Sequence, residues 1–567
     1  MKKLFFRKNS AFVEENKKEN AIIGKRQIER AVEILKEYKA AKQNLEARII
    51  EEEKWWRLRH WETFDVENSQ NRCEPVSAWM FNSIANKHAD AMDNYPEPNV
   101  LPREKGDEKQ AQILSKIIPV ILENNGFEKT YSDAWWYKLR HGTAAYGVFW
   151  NGALSGGKGD IDITRLDLLN LFWEPGISDI QDSENLFIVS FENSEKLVAR
   201  YPNLLGKNLN CGVDIQKYAY DGLRDMSGKT VVVDWYYKKI GADGKARVHF
   251  CKFAGREVIF ATENEVEFCE KGLYNHGKYP VVFDVMYPLE GTPCGFGLVS
   301  VMKNPQMYID RLNRVILENS VMSARVRYFA KEGSGINEEE FLDWSKPIVH
   351  VEGSIDEERL KRIEVNPVSG NVLTVLQMKI DELKETSGNR DFSQGSTSAG
   401  VTAASAIAAL QEAGNKTSRD NITSAYRAYM NIGYLVIDLI KQFYNESRCF
   451  RITAEDGEYQ YLKYKKGSED NEALFDISIK PQKKSSYSKL SQNEIAKEMY
   501  KLGFFDPQYA SQALAAIEIM DFDGKAVVKE KIKQIKREAE ENLLREKELE
   551  EEKSKNETEN SKNEKSA

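Results

Sequence analysis

The sequence lacks the residue clusters from which most metal sites, disulfide scaffolds and hydrolase active sites are built. Its 567 residues include only six cysteines and six histidines. The cysteines form no CxxC pair and the histidines form no HxH or HxxxH pair, so neither a zinc ribbon nor a metal hydrolase is indicated. No GxSxG elbow is present. We therefore expect reduced cytosolic thiols, no catalytic residues, no metal and no cofactor.

Excess positive charge and long apolar runs are also missing. The chain has 81 Lys and Arg against 89 Asp and Glu, a formal net charge of -8, which argues against a protein that coats nucleic acid electrostatically. The apolar run IGYLVIDLI at 432–440 is short and carries Asp438, so it cannot span a bilayer. The apolar part of the opening MKKLFFRKNSAF is too short for a signal peptide. We expect neither a membrane segment nor a targeting segment.

The segment GLRDMSGKT at 222–230 looks like a phosphate-binding loop, but its spacing is wrong. Gly222 stands one residue too far from Gly228 for the GxxxxGK[ST] motif. The strand pattern VVVDWYY follows, whereas the motif needs a helix whose N-terminus faces the phosphates. We interpret this segment as a hairpin turn.

Aromatic and basic residues alternate at the end of a Lys/Glu-rich helix predicted for about Arg26 to Glu62. The cluster consists of Trp55, Trp56 and Trp61 with Arg57, Arg59 and His60. Such residues can stack on nucleic acid. Their helical spacing favours a packed aromatic face and a solvated basic face instead.

Strand patterns begin at Thr143 and continue to about Pro288. GTAAYGVFW and GDIDITRLDLLNLFWEP flank the Gly-rich NGALSGGKGD, which suits a hairpin. Further strand patterns, such as CFRITAED and LFDISIKP, follow a long helix that ends near Tyr444. The sheet region is therefore built from chain on both sides of a helical excursion, and the predicted fold class is α+β.

The helical excursion between Pro293 and Phe443 is the most informative pattern. Asn304-Pro305 is expected to open its first helix, because Asn can cap a helix and Pro suits its first turn. Apolar residues then recur at heptad-like spacing, interrupted by Asn319; they are Tyr308, Leu312, Val315, Met322 and Val326. A turn-rich insertion, a second helix, a polar loop and a long small-residue helix follow. Two helices without enough apolar surface for a private core need neighbours, most simply copies of themselves.

The order of these elements resembles the tailed-bacteriophage portal proteins, the head-to-tail connectors through which DNA enters and leaves a capsid. The resemblance rests on GTAAYGVFWN, DITRLDLLNLFWEPGISDIQDSENLFIVSF, YPVVFDVMYPLEGTPCGFGLVSVMKNPQMYIDRLNRVILENSVMSA and ETSGNRDFSQGSTSAGVTAASAIAALQEAGNKT. None of these motifs is catalytic, and their order and spacing carry the resemblance. It covers about Trp55 to Pro481, so the N-terminal helix and the charged tail fall outside it.

The resemblance implies a portal-type fold that assembles as a ring, with a wing of mixed strands and helices, a two-helix stem, a small α/β clip, a long wing helix and a helical crown. The implied boundaries are an N-terminal charged helical extension at 1–54, the N-terminal part of the wing at 55–304, a stem helix at 305–329, the clip at 330–367, a return stem helix at 368–387, a tunnel loop at 388–400, the long wing helix at 401–446, wing strands at 447–484, the crown at 485–535 and a charged, disordered tail at 536–567.

The resemblance also implies which residues meet DNA and partners. The stem would carry the channel cations Arg311, Arg314, Arg325 and Arg327. The clip would dock partners through Trp344, Lys346, Lys361 and Arg362. The tunnel loop would contact DNA through Asn389, Arg390, Asp391, Phe392, Ser393 and Gln394. The alternatives are that the arginines pair with acids of adjacent subunits and that the loop is a plain connection.

The implied partners are further copies of the chain in a ring, typically dodecameric, and double-stranded DNA passing through it. A terminase large subunit, head-completion and adaptor proteins, and major capsid and scaffolding proteins would contact the ring. The implied location is a capsid vertex of the virion, after assembly in the host cytoplasm. The implied role is genome packaging and ejection without catalysis.

Two other classes stay open at the level of sequence. A metal-dependent nuclease would use Asp160 and Asp162, which alternate on a strand beside a turn, although solvated strand carboxylates are commoner. A cytosolic coiled-coil interaction protein would be driven by the Lys/Glu-rich helices at both ends of the chain, and would form a dimer or trimer.

Overall fold

The computed structural model describes residues 22–64, 73–215, 218, 228–241, 244–324, 327–330, 335–343, 345, 347–352, 360–363, 365–388, 416–453, 459–464, 474–483, 496–520 and 525–564. The chain divides into two compact units. One consists of Met1–Met92 and Pro96–Pro481, and the other of Asp93–Tyr95 and Gln482–Ala567.

The mixture of helices and strands confirms the α+β class. In chain order the α-helices are α1 (Lys25–Ala41), α2 (Gln43–Trp56), α3 (Trp79–Asp93), α4 (Glu108–Asn124), α5 (Phe127–His141), α6 (Ser194–Arg200), α7 (Val266–Cys269), α8 (Leu298–Ala324), α9 (Glu338–Leu342), α10 (Gly370–Ser387), α11 (Lys416–Phe443), α12 (Ala510–Ile519) and α13 (Lys525–Glu564). The strands are β1 (Asn94–Pro102), β2 (Thr143–Asn151), β3 (Asp160–Leu166), β4 (Leu171–Trp173), β5 (Asn185–Asn193), β6 (Lys229–Ile240), β7 (Ala246–Ala254), β8 (Glu257–Ala261), β9 (Val281–Val285), β10 (Tyr287–Pro288), β11 (Gly295–Phe296), β12 (Arg327–Ala330), β13 (Leu360–Ile363), β14 (Arg448–Thr453), β15 (Tyr459–Tyr464) and β16 (Phe475–Lys483).

The helix predicted for about Arg26 to Glu62 is two helices, α1 and α2, which meet at Lys42. The Lys42 side chain is only 5% exposed, and its ammonium donates to the carbonyl oxygens of Leu168, at 2.5 Å, and Leu171, at 2.6 Å. Apolar residues of α1, such as Ile28 and Leu35, share one buried cluster with the large sheet β4–β8. Helix α1 therefore contributes to the hydrophobic core on one face of the large sheet. We call this sheet, the sheet β3-β2-β9 and the helices packed on them the wing.

The large sheet is antiparallel and has the strand order β4-β5-β6-β7-β8. Along β6, Val233 and Trp235 belong to the buried cluster shared with α1, whereas Val232 belongs to a cluster with Leu197 of α6. Neighbouring residues on a strand point to opposite faces. Both faces of this sheet are thus covered by helix and loop from the same chain.

A second sheet, with the order β3-β2-β9, supports the helical excursion. The Gly-rich segment between β2 and β3 closes an antiparallel hairpin in which Asn151 faces Asp160, as predicted. Helices α5 and α11 pack on this sheet. Gly142 ends α5 with φ 82, and a Cβ there would lie 2.1 Å from the backbone of Phe296. Only glycine allows the chain leading into α8 to pass so close.

The strands predicted after the long helix are also present. β14 pairs with β15, and β16 pairs with β1. In the β14–β15 hairpin, Phe450, Ile452 and Tyr464 are buried. The sheet region is built from chain on both sides of the excursion, which confirms that part of the prediction.

The excursion is a hairpin of α8 and α10, which contact each other. Helix α8 begins at Leu298, so the prediction that Asn304-Pro305 opens it is wrong. Leu298, Val299 and Met302 are buried on the wing, and this packing supports helical turns ahead of Pro305, at a position where proline removes one backbone hydrogen bond. Helix α10 ends where Gly388 adopts φ 66, as predicted for a glycine that stops a helix.

The second unit contains α12 and α13. Ala513 and Ile517 of α12 pack with Ile532 of α13 in a small buried cluster. The tail at 536–567 was expected to be disordered, but α13 is helical as far as Glu564. Its sequence is rich in Lys and Glu, which are good helix formers and attract each other three or four residues apart, as Lys536 and Glu540 do at 3.9 Å.

Candidate channel and docking site

The first half of α8 is held against the wing by buried polar side chains. The Gln306 amide donates to the Ser77 carbonyl oxygen at 2.7 Å and to Asp310 Oδ1 at 3.0 Å. Asp310 Oδ1 also accepts the Ser77 N–H at 3.0 Å, and Gln306 Oε1 accepts the Met80 N–H at 3.2 Å. Gln306 and Asp310 are completely buried. These contacts decide where the helix leaves the wing.

His60 completes this arrangement from the N-terminal side. Its Nδ1 lies 2.6 Å from Asp310 Oδ2 and its Nε2 lies 3.1 Å from the Trp55 carbonyl oxygen. The side chains of His60 and Asp310 are both 0% exposed. We call the set His60, Ser77, Gln306 and Asp310 the α8 seat.

The α8 seat was missed by sequence reasoning. Gln306 and Asp310 stand in the quoted segment NPQMYIDRL, four residues apart, on the same face as the buried Met302 and Ile309. Polar residues on the apolar face of a helix were the available signal, because a buried polar group needs a partner. The partner His60 is 250 residues away in the chain, so no local pattern identifies it.

The arginines predicted to line the channel lie in different surroundings. Arg314 is 7% exposed; its Nε donates to the Cys73 carbonyl oxygen at 2.7 Å, and its guanidinium lies 3.6 Å from the centre of the Trp61 ring. Arg311 is exposed, with its guanidinium 5.2 Å from the Phe64 ring. Arg325 lies outside the described residues. Within one chain, Arg314 is therefore a structural contact of the wing.

From Tyr308 onwards the helical hairpin leaves large apolar side chains exposed. On α8 the exposed set includes Tyr308, Val315, Leu317, Val321 and Met322; on α10 it includes Leu373, Val375 and Met378. Val315 is 50% exposed and Met378 is 62% exposed. Asn319, which interrupts the predicted stripe, donates to the Asn366 carbonyl oxygen at 2.9 Å and so ties α8 to the chain just ahead of α10.

The tip of the hairpin carries a two-stranded sheet and exposed aromatic and aliphatic residues. Tyr328 of β12 faces Arg362 of β13, and Phe329 faces Lys361. Arg327, Lys361 and Arg362 are all exposed. Phe329 (64%), Leu342 (73%) and Ile348 (66%) are also exposed. Trp344 and Lys346 lie outside the described residues.

Apart from Gly388, the predicted tunnel loop lies outside the described residues, and so do its candidate DNA contacts, Asn389, Arg390, Asp391, Phe392, Ser393 and Gln394. The part of the predicted long helix before Lys416 is outside them as well. The described part of that helix, α11, ends at Phe443, close to the predicted end.

Buried lysines anchor the start of α11. Lys87 Nζ donates to Ser418 Oγ at 2.8 Å, and Lys138 Nζ donates to the Asn421 carbonyl oxygen at 3.2 Å and to Asp284 Oδ1 at 2.6 Å. Burial lowers the pKa of both lysines, and attraction to a carboxylate opposes this in each case. The first two turns of α11 are therefore bound to the wing through Ser418 and Asn421.

The aromatic cluster near residue 60 is packed. Trp55 is 3% exposed, the Trp56 ring stacks on Phe81 with centroids 4.8 Å apart, and the Trp61 indole N–H donates to the Pro75 carbonyl oxygen at 2.9 Å. The interpretation of a packed face is confirmed. A stacking platform for nucleic acid at these residues is wrong, because the rings already have partners.

The acidic pair considered for a nuclease is occupied by neighbouring side chains. Asp160 accepts from the Tyr444 hydroxyl at 2.5 Å and from the Ser155 hydroxyl at 2.8 Å. Asp162 accepts from the Asn151 amide at 3.1 Å. Among the described residues, no group of three or more His, Cys, Asp or Glu side chains could hold a metal ion.

The segment GLRDMSGKT leads into β6, which begins at Lys229. No helix N-terminus therefore follows Gly228, which agrees with the rejection of a phosphate-binding loop. Residues 222–227 of the segment lie outside the described residues. Elsewhere in the described ranges, no helix is long and apolar enough to cross a membrane.

The first compact unit contains one sheet of five strands and one of three, and the hairpin of α8 and α10 carries exposed apolar residues along its length and at its tip. The family model for Phage P22-like portal proteins matches residues 34–567, and the chain belongs to this family. The match begins within α1 and runs to the end of the chain, so the expectation that the N-terminal helix and the charged tail fall outside the resemblance is wrong. A comparison with curated proteins finds no match.

Membership in this family makes the chain a phage portal protein, a structural component of the capsid. Portal proteins form oligomeric rings and interact with the capsid and the terminase. Nothing in the described residues favours the nuclease or the coiled-coil protein.

Proposed function

We propose that copies of this chain close into a ring, typically dodecameric, in which α8 and α10 line a channel for double-stranded DNA at one capsid vertex. The observation that supports this most directly is the distribution of exposed apolar residues along α8 from Tyr308 to Met322. They form two separate faces. A ring subunit contacts a different neighbour on each side, and so needs two different surfaces.

The angular positions of these residues follow from helix geometry. At about 100° per residue, Tyr308, Val315 and Met322 fall within a stripe of roughly 40°. Leu317 and Val321 lie roughly 120° to 160° around the helix from Val315. The wider of the two arcs between these faces carries Leu312 and Ile316, which are half-buried, and we assign that side to α10. Each of the other two faces would meet one neighbouring subunit.

The channel wall needs few cations, because many phosphate contacts would hold the DNA in place rather than let it slide. Arg311, Arg327, Lys361 and Arg362 are exposed candidates for rings of positive charge. Each could instead pair with an acid of the adjacent subunit. Arg314 is the weakest candidate, since Trp61 and Cys73 already hold it.

The clip, as predicted for 330–367, would dock the terminase large subunit during packaging and head-completion or adaptor proteins afterwards. Leu342 and Ile348 supply exposed apolar surface in the clip, and Phe329, just before it, is exposed and faces Lys361 across the β12–β13 pair. Arginine is among the residues enriched in binding hot spots, and Arg362 is exposed beside this surface. Contacts with major capsid and scaffolding proteins would follow assembly in the host cytoplasm.

The tunnel loop would contact DNA at the narrowest part of the channel and help to retain it. Arg390 is the cation of the set and Phe392 its aromatic residue. Shortening 389–394 should leave ring assembly and filling intact, because a separate motor supplies the energy, and should cause filled heads to leak DNA. Full retention by such a variant would reduce the loop to a connector.

The ring is tested by native mass spectrometry and electron microscopy of the purified full chain carrying Val315→Asp. A buried carboxylate at a subunit contact is strongly unfavourable, so we expect folded subunits and no closed ring. Val266→Asp is the matched control, because Val266 lies in the wing and is 93% exposed. Normal rings from Val315→Asp would contradict the assignment of this face.

A further inference from the structure

We propose that the open edge of β9 binds an extended segment of a protein of the assembling capsid, which adds a strand to the sheet. β9 is the last strand of the sheet β3-β2-β9, so one of its edges has no partner strand among the described residues. Such an edge presents backbone N–H and C=O groups that another polypeptide can bind. The inference rests on the proposed place of the ring in a capsid.

The hydrogen-bond register of β2 and β9 shows which backbone groups point towards the open edge. The Met286 N–H donates to the Gly142 carbonyl oxygen at 2.8 Å, just beyond the end of the pair. Hydrogen-bonded residues alternate along two antiparallel strands. Asp284 therefore also bonds to β2, whereas the backbone groups of Phe283 and Val285 point away from it.

Side chains of the same chain cap the two ends of this edge and leave its middle open. The Gln181 amide donates to the Val281 carbonyl oxygen at 3.2 Å, and the Ser424 hydroxyl donates to the Val285 carbonyl oxygen at 2.7 Å. The N–H groups of Phe283 and Val285 and the carbonyl oxygen of Phe283 form no hydrogen bond with a described residue. An antiparallel segment would satisfy all three groups: one of its residues would exchange both bonds with Phe283, and the residue two positions earlier would accept from Val285.

The same edge lines a cavity of about 480 Å³. Val285 of β9 and Leu435 of α11 give this cavity apolar walls. Lys278, which also lines it, is exposed and forms no hydrogen bond or ion pair with a described residue. The carboxylate of Asp179 already accepts the Gln181 N–H at 2.9 Å. The occupant that fits is an extended apolar segment with a carboxylate on its C-terminal side, where an antiparallel strand would pass Lys278.

A second copy of this chain is a less suitable occupant. Every strand in the described ranges is already paired with another strand, so those ranges of a neighbouring copy offer no free extended segment. Portal proteins also interact with the capsid. We therefore assign the β9 edge to a capsid protein.

Hydrogen exchange with residue resolution, measured by mass spectrometry over residues 280–287, tests this assignment. Dissociated subunits, purified rings and rings within proheads would be compared. The Phe283 and Val285 N–H groups should exchange freely in the first two states and roughly tenfold more slowly in proheads, because they gain a hydrogen bond there. The Asp284 N–H should stay protected in all three states, and it serves as the internal reference.

Val285→Pro removes the N–H at the open edge and leaves the bonds to β2 in place, since proline is tolerated on an edge strand. Val285→Ala is the matched control, because it removes the same side chain and keeps the N–H. We expect Val285→Pro rings to lose the protection of Phe283 in proheads and Val285→Ala rings to retain it. Lys278→Ala should lower that protection about twofold to fivefold, as for an exposed ion pair, and Lys278→Arg should restore it.

Four results would overturn the proposal. Phe283 could exchange freely in proheads that contain the ring, or Val285→Pro and Val285→Ala rings could be equally protected. Protection already present in dissociated subunits would mean that the chain covers its own edge, and protection first seen in purified rings would mean that a second copy does. Wild-type rings that are absent from proheads would contradict the proposed function and this inference together.

Discussion

The wing and the helical hairpin differ in how far their side chains find partners within the same chain. In the wing even fully buried charges have partners in the same chain, as Lys138 and Asp284 do at 2.6 Å. In the hairpin, large apolar side chains such as Leu373 and Met378 remain more than half exposed. The charges buried in the wing are therefore paired within one chain, whereas we propose that neighbouring molecules cover the exposed apolar residues of the hairpin.

The same contrast occurs within one helix. Ile309, in the first half of α8, is 0% exposed, whereas Val315, less than two turns further on, is 50% exposed. These two positions lie roughly 120° apart around the helix. The contrast depends on the face of the helix, because Tyr308 is exposed although it precedes Ile309, and Arg314 is buried although it follows Ile309.

The largest effect is expected at the tip of the hairpin. Phe329→Ser combined with Leu342→Ser removes apolar anchors proposed for the packaging motor, and we expect rings of normal size but heads empty of DNA. Purified heads would be assayed for DNA content. The same double change at wing residues Leu205 and Val266, which are 75% and 93% exposed, serves as the control. Normal filling of the tip variant would break the comparison.

One substitution at the buried Ile309 and one at the exposed Val315 sharpen the contrast within α8. Ile309→Ala should lower the free energy of unfolding by about 2–5 kcal/mol, because it leaves a cavity in a closed core. Val315→Ala should change it by less than about 0.5 kcal/mol in dissociated subunits. Denaturant unfolding of both variants checks this. Equal losses would mean that Val315 is already packed within its own chain.

The next prediction asks whether burial of the Lys42 ammonium in the wing lowers the free energy of unfolding. Burial lowers the pKa of Lys42 to about 8, below the usual 10.5 or so of an unfolded chain. The unfolded state therefore binds more protons between these values, and the Lys42 contribution should become more favourable by on the order of 3 kcal/mol as pH rises from about 8 to about 10.5.

The measurement is the free energy of unfolding of wild type minus that of Lys42→Met, followed over this pH range. Other titrating groups are common to both proteins and largely cancel in the difference. A difference that does not change with pH would show that the Lys42 ammonium is as well solvated in the wing as in the unfolded chain.

The smallest effect on stability is expected for the exposed cations of the tip. Arg362→Ala should alter the free energy of unfolding by less than about 0.5 kcal/mol. If Arg362 meets DNA phosphate in the channel, the Arg362→Ala substitution should also lower the slope of the salt dependence of DNA binding by about one unit. Arg256→Ala, in the wing and with a side chain 71% exposed, should leave that slope unchanged. An unchanged slope for Arg362→Ala would favour pairing with an acid of a neighbouring subunit.

Local patterns were sufficient for several features. The β2–β3 hairpin, the strands that follow α11 and the end of α10 at Gly388 all depend on residues that are neighbours in the chain. Strand alternation, turn glycines and helix-stopping glycines act over a few residues, and these can be identified in the sequence by itself. The resemblance to portal proteins, which rests on the order of such elements, was confirmed by the family match.

Only the tertiary structure decided where α8 begins and how it is held. Its first turns depend on burial of Leu298 and Met302, and the α8 seat joins Asp310 to His60 across 250 residues. The tertiary fold also placed Arg314 under Trp61, although the sequence offered it as one channel cation among four. The free energy of a buried polar group depends on which partner the fold brings to it, and that information is absent from any short stretch of chain.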